Sequence, residues 1–230
     1  MESNESNKKS LFPNKKSLLS VYISVCIIGG IIGFAFSSYR NDAQPNNVQP
    51  NTSEEMKSNQ NAVITNIHNR KSVRNFIKSK PVSKEDLLTL VKAGMAAPSG
   101  RNAQPWEFVI IAERANLDKL QEKLPFAKML LTATAAIVVC GNAGDGKGDS
   151  FWIEDCSAAT QNILLAAESM GLGAVWTAAY PGIERENWIR ECLGLPANIR
   201  PLCVIPIGYP ADNPKPKNKF KEEKVHYEKW

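Results

Sequence analysis

The sequence predicts a chain in two parts, an N-terminal membrane helix and, from residue 62, a globular domain that mixes helices with strands. Three observations carry this. An uncharged apolar run, Leu18–Phe36, follows a leader bearing Lys8, Lys9, Lys15 and Lys16. Residues 40–61 are rich in Asn, Gln, Pro, Ser and Thr and hold almost no large apolar group, so burial would not offset the entropy of ordering them. Beyond them, stretches with helical spacing alternate with short β-branched and aromatic runs.

The run from Leu18 to Phe36, at about 1.5 Å per residue, comes close to the roughly 30 Å hydrocarbon core and exceeds a usual signal-peptide apolar region. We read residues 1–17 as a basic cytoplasmic leader, 18–38 as a transmembrane signal anchor, 39–61 as a flexible linker and 62–230 as the domain. Lysines precede the run and only Arg40 follows closely, which places the domain on the extracytoplasmic side. The alternatives are a cleaved signal peptide, with Ala35-Phe36-Ser37 as a loose small-x-small site, and, third, a buried helix of a soluble protein. Cys26 does not mark a lipoprotein, because Val25 precedes it and apolar sequence continues beyond it.

Within the domain, Ser83 and Asp86 form an acidic variant of a capping box that opens a helix with Leu87, Leu88, Leu90, Val91 and Met95 at helical spacing; Pro98 closes it. Trp106–Ala112 reads as a strand, residues around Leu117–Leu124 as a short helix and Ala135–Cys140 as a second strand. Gly141–Asp149 is a loop rich in Gly and Asp. Ile153–Met170 is the longest helical pattern, apolar on most sides, with small residues that let another helix approach closely. Gly171-Leu172-Gly173 stops it, Ala174–Ala179 is a strand, Glu184–Leu193 a helix and Leu202–Gly208 a strand. The tail from Asp212 to Trp230 is basic and proline-bearing with no core pattern, and is expected to wrap over a surface of this chain or of a partner.

Composition narrows the function. The chain is 43% apolar and 22% charged, as a globular protein is, and its net charge of +5 is concentrated in the leader and tail, without the basic helix or aromatic platform of a nucleic-acid binder. The five cysteines are odd in number, widely spaced and mostly in apolar stretches, which reads as buried thiols. No CxxC pair occurs, and His68 and His226 lie far apart in sequence, so no metal site is expected.

Three groups remain as candidates for chemistry. Ala97–Trp106 is an amide-rich loop in which Pro98, Ser99 and Gly100 permit a tight backbone, and Asn102 and Gln104 offer donors and acceptors. On its own it suits either a planar ligand or an ordinary helix-to-strand connection. Arg70, Lys71, Ser72 and Arg74 bring two guanidinium groups together whether the segment is helix or strand, which suits a phosphate or a solvated basic turn. Lys215, Lys217 and Lys219 form a third basic group in the tail.

In their order along the chain, these pieces resemble the nitroreductase family of flavin enzymes. The resemblance covers most of residues 62–230. It rests on Arg70 to Phe76, Ala97 to Trp106, the helix from Asp155 to Asn162, Gly171 to Trp176, Ile207-Gly208-Tyr209-Pro210 and the basic tail. It implies an α+β fold whose central, mainly antiparallel sheet is flanked by helices. It also implies a domain-swapped homodimer with exchanged C-terminal arms and FMN in each of two interface sites.

Carried over by position, the resemblance gives Arg70 the phosphate, places Ser72 beside it and sets Arg74 at the N1 and C2-carbonyl edge of the ring. Pro98, Ser99 and Gly100 would come from the partner, and Asn102, with Gln104 nearby, would meet the pyrimidine portion. Lys217 and Lys219 match the closing phosphate contacts. Where many relatives present a Glu-Gly pair to the flavin, this chain has Ala178 and Ala179, with Trp176, Thr177 and Tyr180 beside them.

The implied activity is ping-pong transfer of electrons from NAD(P)H to a nitroaromatic, quinone or similar conjugated acceptor, with no catalytic side chain. The alternatives are a dehalogenase, desaturase or flavin-fragmenting enzyme of the same fold, or a membrane-tethered flavin-binding module without turnover.

Overall fold

The computed structural model describes residues 53–142 and 151–230. The segments expected as leader, membrane helix (18–38) and linker up to residue 52, and most of the Gly141–Asp149 loop, lie outside the described residues. Among those described, no helix is long and apolar enough to cross a membrane.

Helix α1, Ser53–Asn69, begins inside the segment read as linker. Composition misses this because it scores burial alone. Glu54, Glu55, Met56 and Lys57 are good helix formers, and tertiary contacts anchor the helix farther along: the Asn66 amide donates to the Leu165 carbonyl at 2.9 Å. Helix α2, Lys84–Met95, starts as its cap predicts, with Ser83 Oγ accepting the Asp86 N–H at 3.0 Å.

Strand β1, Trp106–Ile111, leads through helix α3, Arg114–Lys123, and a 3₁₀ turn, Lys128–Leu131, to strand β2, Ala135–Asn142. Helix α4, Trp152–Ser169, crosses back to the short strands β3, Gly173–Ala174, and β4, Thr177–Ala178. Helix α5, Ile183–Leu193, and strand β5, Ile199–Gly208, complete the domain.

The sheet runs β1-β2-β5-β3 with β4 also on β5, and every pairing is antiparallel. The α+β expectation holds. β3 and β4, expected as one strand, share one register along β5, with Ala174 opposite Ile207 and Thr177 opposite Val204. That register sets Val175 opposite Pro206, which has no N–H to give the ladder, and the strand is interrupted there.

Period-two alternation divides the core into two layers. Ile137, Val139, Ile205 and Ile207 pack with Leu87, Leu90, Ala159 and Ile163 of α2 and α4. Ala136, Val138 and Val204 pack with Leu117, Leu120 and Ile189 of α3 and α5. β2 is therefore buried on both faces, which its unbroken apolar run already implied. α2 and α4 approach closely: a Cβ on Gly94 of α2 would lie 3.1 Å from Ile163 of α4. Cys140, Cys156 and Cys203 are buried and Cys192 is half-buried; burial pushes the thiols of Cys140 and Cys203 up to about 12.

Candidate functional site

The basic segment after α1 is neither helix nor regular strand. It is clamped from two sides of the fold. The Val73 N–H donates to Ala174 in β3 at 3.1 Å, Phe76 bridges to Pro210 beyond β5, and the Ile77 N–H donates to Tyr209 at 2.9 Å. Val73 and Phe76 are buried, so the residues between and before them are held at the surface in fixed order.

The tail is fastened to the same segment. Ala211 N–H donates to the Asn75 carbonyl at 3.0 Å and the Asn75 amide to Asp212 at 2.7 Å. This brings Lys215, Lys217 and Lys219 over Arg70, Lys71, Ser72 and Arg74 to line one cavity of about 520 Å³. Among the described residues, Arg70, Arg74 and these three lysines have no ion-pair partner. Lys71 differs from its neighbours, since its ammonium meets Glu168 of α4 at 2.7 Å and anchors the segment.

Arg74 also borders a second cavity of about 470 Å³, walled by Phe126, Met129 and Leu131 with Lys128 at its edge. Sequence reasoning missed these residues. The only signal was an apolar cluster, Phe126 and Met129–Leu131, lacking helical or strand period, and Phe126 and Leu131 remain partly exposed. The Thr177 hydroxyl contacts Met129 Sδ at 3.9 Å, which sets β4 behind this cavity. Trp176 is half-buried, Thr177 and Ala179 are buried, and Ala178 is exposed. Arg185 joins the same region, donating to the Ala179 carbonyl at 3.1 Å with its guanidinium 5.6 Å from the Phe126 ring.

The Ala97–Trp106 loop is a separate, preformed construction. Arg101, Asn102 and Gln104 have φ of 54°, 56° and 49°, a left-handed conformation uncommon for residues with side chains. Ser99 Oγ accepts the Gln104 N–H at 3.1 Å, and the Gln104 amide donates to Asn102 Oδ1 at 2.8 Å. Pro98, Ser99, Gly100, Asn102 and Gln104 line neither cavity just described, so one chain does not bring all the predicted site residues together.

The donor set around the first cavity fits a phosphate: two guanidinium groups, a hydroxyl and three ammonium groups. The second cavity offers apolar walls suited to a ring, and Arg74 stands between the two. Among the described residues, no cluster of three or more His, Cys, Asp or Glu is arranged to hold a metal ion.

Fold and site define an antiparallel α+β domain with a basic cavity beside an apolar one, Arg74 lining both. The chain belongs to the nitroreductase family, whose model matches residues 67–128 and 114–209. It is an enzyme of the NAD(P)H nitroreductase and FMN reductase kind.

A candidate NADH dehydrogenase/NAD(P)H nitroreductase from Archaeoglobus fulgidus is 42% identical over 168 residues, 71% of this chain and 96% of that one. The crystal structure of a similarly described protein from Bacteroides thetaiotaomicron is 54% identical, covering 74% of this chain and 99% of that one, with a TM-score of 0.71. An FMN-dependent nitroreductase from Clostridium difficile is 30% identical over 73% of this chain and 99% of that one, with a TM-score of 0.67.

Proposed function

We propose that this chain binds FMN between two copies of itself and reduces a conjugated acceptor, such as a nitroaromatic or quinone, at the expense of NAD(P)H. The observation that carries the reading is the gathering of Arg70, Arg74 and the tail lysines around one cavity, with no acidic partner among the described residues. Cations left without a counter-ion by the protein suit an anionic ligand. Bound there, FMN would supply the redox chemistry, accepting electrons from NAD(P)H in one half-reaction and releasing them to the acceptor in the next.

The protein's part is binding and orientation. Arg70, Ser72, Lys217 and Lys219 hold the phosphate. Arg74, at the boundary of the two cavities, places positive charge beside the ring, where it favours a more electron-rich cofactor. Phe126, Met129 and Leu131 keep that end apolar and exclude water. Ala178 and Ala179 supply no carboxylate, and Ala179 spends its N–H on the Leu202 carbonyl and its own carbonyl on Gly182 and Arg185, so orientation of the nicotinamide falls to the neighbouring walls.

The Pro98–Gln104 loop lies outside both cavities of its own chain, and supplying it to the other protomer's site explains why it is built in advance. The exposed side chains of Val63, Ile64 and Ile67 on α1, and of Phe220, Tyr227 and Trp230 on the tail, support a second copy.

The reading is tested with the purified full chain reconstituted with FMN under anaerobic conditions. Rapid bleaching of the yellow colour by NADH or NADPH is expected, followed by re-oxidation on addition of a quinone. Colour that persists with both donors would leave only a flavin-binding role.

The segment 18–38 is our proposed membrane anchor, with the domain outside the cytoplasm. Protease added to intact cells should then cleave the domain. Protection would put it in the cytoplasm, where reduced nicotinamides are expected.

A further inference from the structure

Asp155 lies in the first turns of α4, whose N-cap residue, Phe151, makes no side-chain cap. Its side chain does not serve that helix. Oδ1 accepts the Gly100 N–H at 2.9 Å, across 55 positions of sequence. The residue is only 5% exposed, and Oδ2 is buried with no hydrogen-bond partner among the described residues. A buried carboxylate oxygen without a donor is unfavourable, and packing alone would be served better by an apolar side chain.

The loop above it explains the carboxylate. Three side-chain-bearing residues, Arg101, Asn102 and Gln104, sit in the left-handed region, which persists only where the surroundings enforce it. The hydrogen bonds of Ser99, Asn102, Ala103 and Gln104 described above and in the backbone, such as Ala103 N–H to the Gly100 carbonyl at 3.0 Å, close the loop on itself. They do not fasten it to the domain. Among the described residues, that attachment is made at Gly100, through Asp155 and through contact with Phe151, whose ring would lie 2.8 Å from a Cβ at Gly100. A charged acceptor makes the stronger bond, and the start of a helix favours a negative charge.

We propose that Asp155 is a positioning residue that holds the Ser99–Gln104 loop in its left-handed form, keeping the Asn102 and Gln104 amides in a single orientation toward the cofactor. What the loop meets rests on the flavin reading. The anchoring does not.

The test compares the full chain with Asp155→Ala and Asp155→Asn. Two quantities are measured: the rate at which trypsin cuts the exposed Arg101–Asn102 bond without added FMN, and the affinity for FMN by titration. The Ala variant is expected to be cut about tenfold faster and to bind FMN about tenfold more weakly, the effect of losing one charge-assisted hydrogen bond. The Asn variant keeps the Oδ1 acceptor and should stay within about threefold of the parent in both.

Unchanged cutting in a folded Ala variant overturns the anchoring, and so does an Asn variant cut as fast as the Ala variant. Faster cutting with unchanged FMN affinity overturns the functional half. If the Ala variant does not fold, amide exchange at Gly100 in the parent protein decides: slow exchange supports the bond, and exchange at the rate of an open loop rules it out. A parent chain that binds no FMN would sink the flavin reading, while the cutting rates would still judge the anchor.

Discussion

Arg70 and Lys71 are sequence neighbours with different duties. Lys71 Nζ is held by Glu168 at 2.7 Å, whereas Arg70 faces the shared basic cavity without a carboxylate. Arg70→Ala should weaken FMN binding about tenfold or more, and Lys71→Ala should leave it nearly unchanged while lowering stability by about 1 kcal/mol. Flavin titration and urea unfolding on the two variants separate the roles; equal losses of affinity would remove the distinction.

A second residue-scale expectation concerns pH. Burial raises Cys140 and Cys203 from an ordinary 9.0 to about 12. An acid whose folded value is raised stabilises the fold below its unfolded value and loses that contribution as pH climbs toward the folded one. Stability should therefore decline between pH 9 and 12, and the decline should be shallower in Cys140→Ala/Cys203→Ala. Urea midpoints across that range measure it. The residue types at the site were legible in the sequence. That Lys71 is held by Glu168 was not, because this partner lies 97 positions off.

Among elements, β3 does more for the site than its two residues suggest. A Cβ on Gly173 would fall 2.7 Å from Val73 Cγ1 and 3.2 Å from Phe76, the two side chains that seat the basic segment. Gly173→Ala should therefore cost about 1–3 kcal/mol and weaken FMN binding although it touches no ligand. Thermal melting with and without FMN checks both effects, and a variant with unchanged melting and affinity would show that the segment can shift freely.

Periodicity showed the helices, each of which buries one face, and unbroken apolar runs showed β2 and β5, which are buried on both. Both signals missed the start of α1, a helix tied to α4 only farther along at Asn66, and the break between β3 and β4, whose cause sits across the ladder at Pro206. The polar loop was visible as amides at alternating positions. Its left-handed backbone and its tie to Asp155 were not, since neither leaves a mark on local sequence.

For the whole molecule, the tail is the decisive part. Past Asp212 it is almost entirely exposed on its own chain, yet its lysines complete the basic cavity and it carries Phe220, Tyr227 and Trp230 uncovered. Truncation after Asp212 should reduce FMN affinity and self-association together, as read by titration and sedimentation velocity. A truncated chain that remains dimeric and fully yellow would confine the tail to a solvated appendage.

The clamp at Asn75 and Phe76 joins residues on either side of nearly the whole domain, Asn75 to Asp212 and Phe76 to Pro210. The two arginines stand before the first strand of the sheet, and the lysines that complete the basic cavity follow only after the last one. During synthesis the cavity therefore forms after every strand has been made, and on the proposed reading a copy cut short before Lys215 would hold the sheet but only part of the grip on a phosphate.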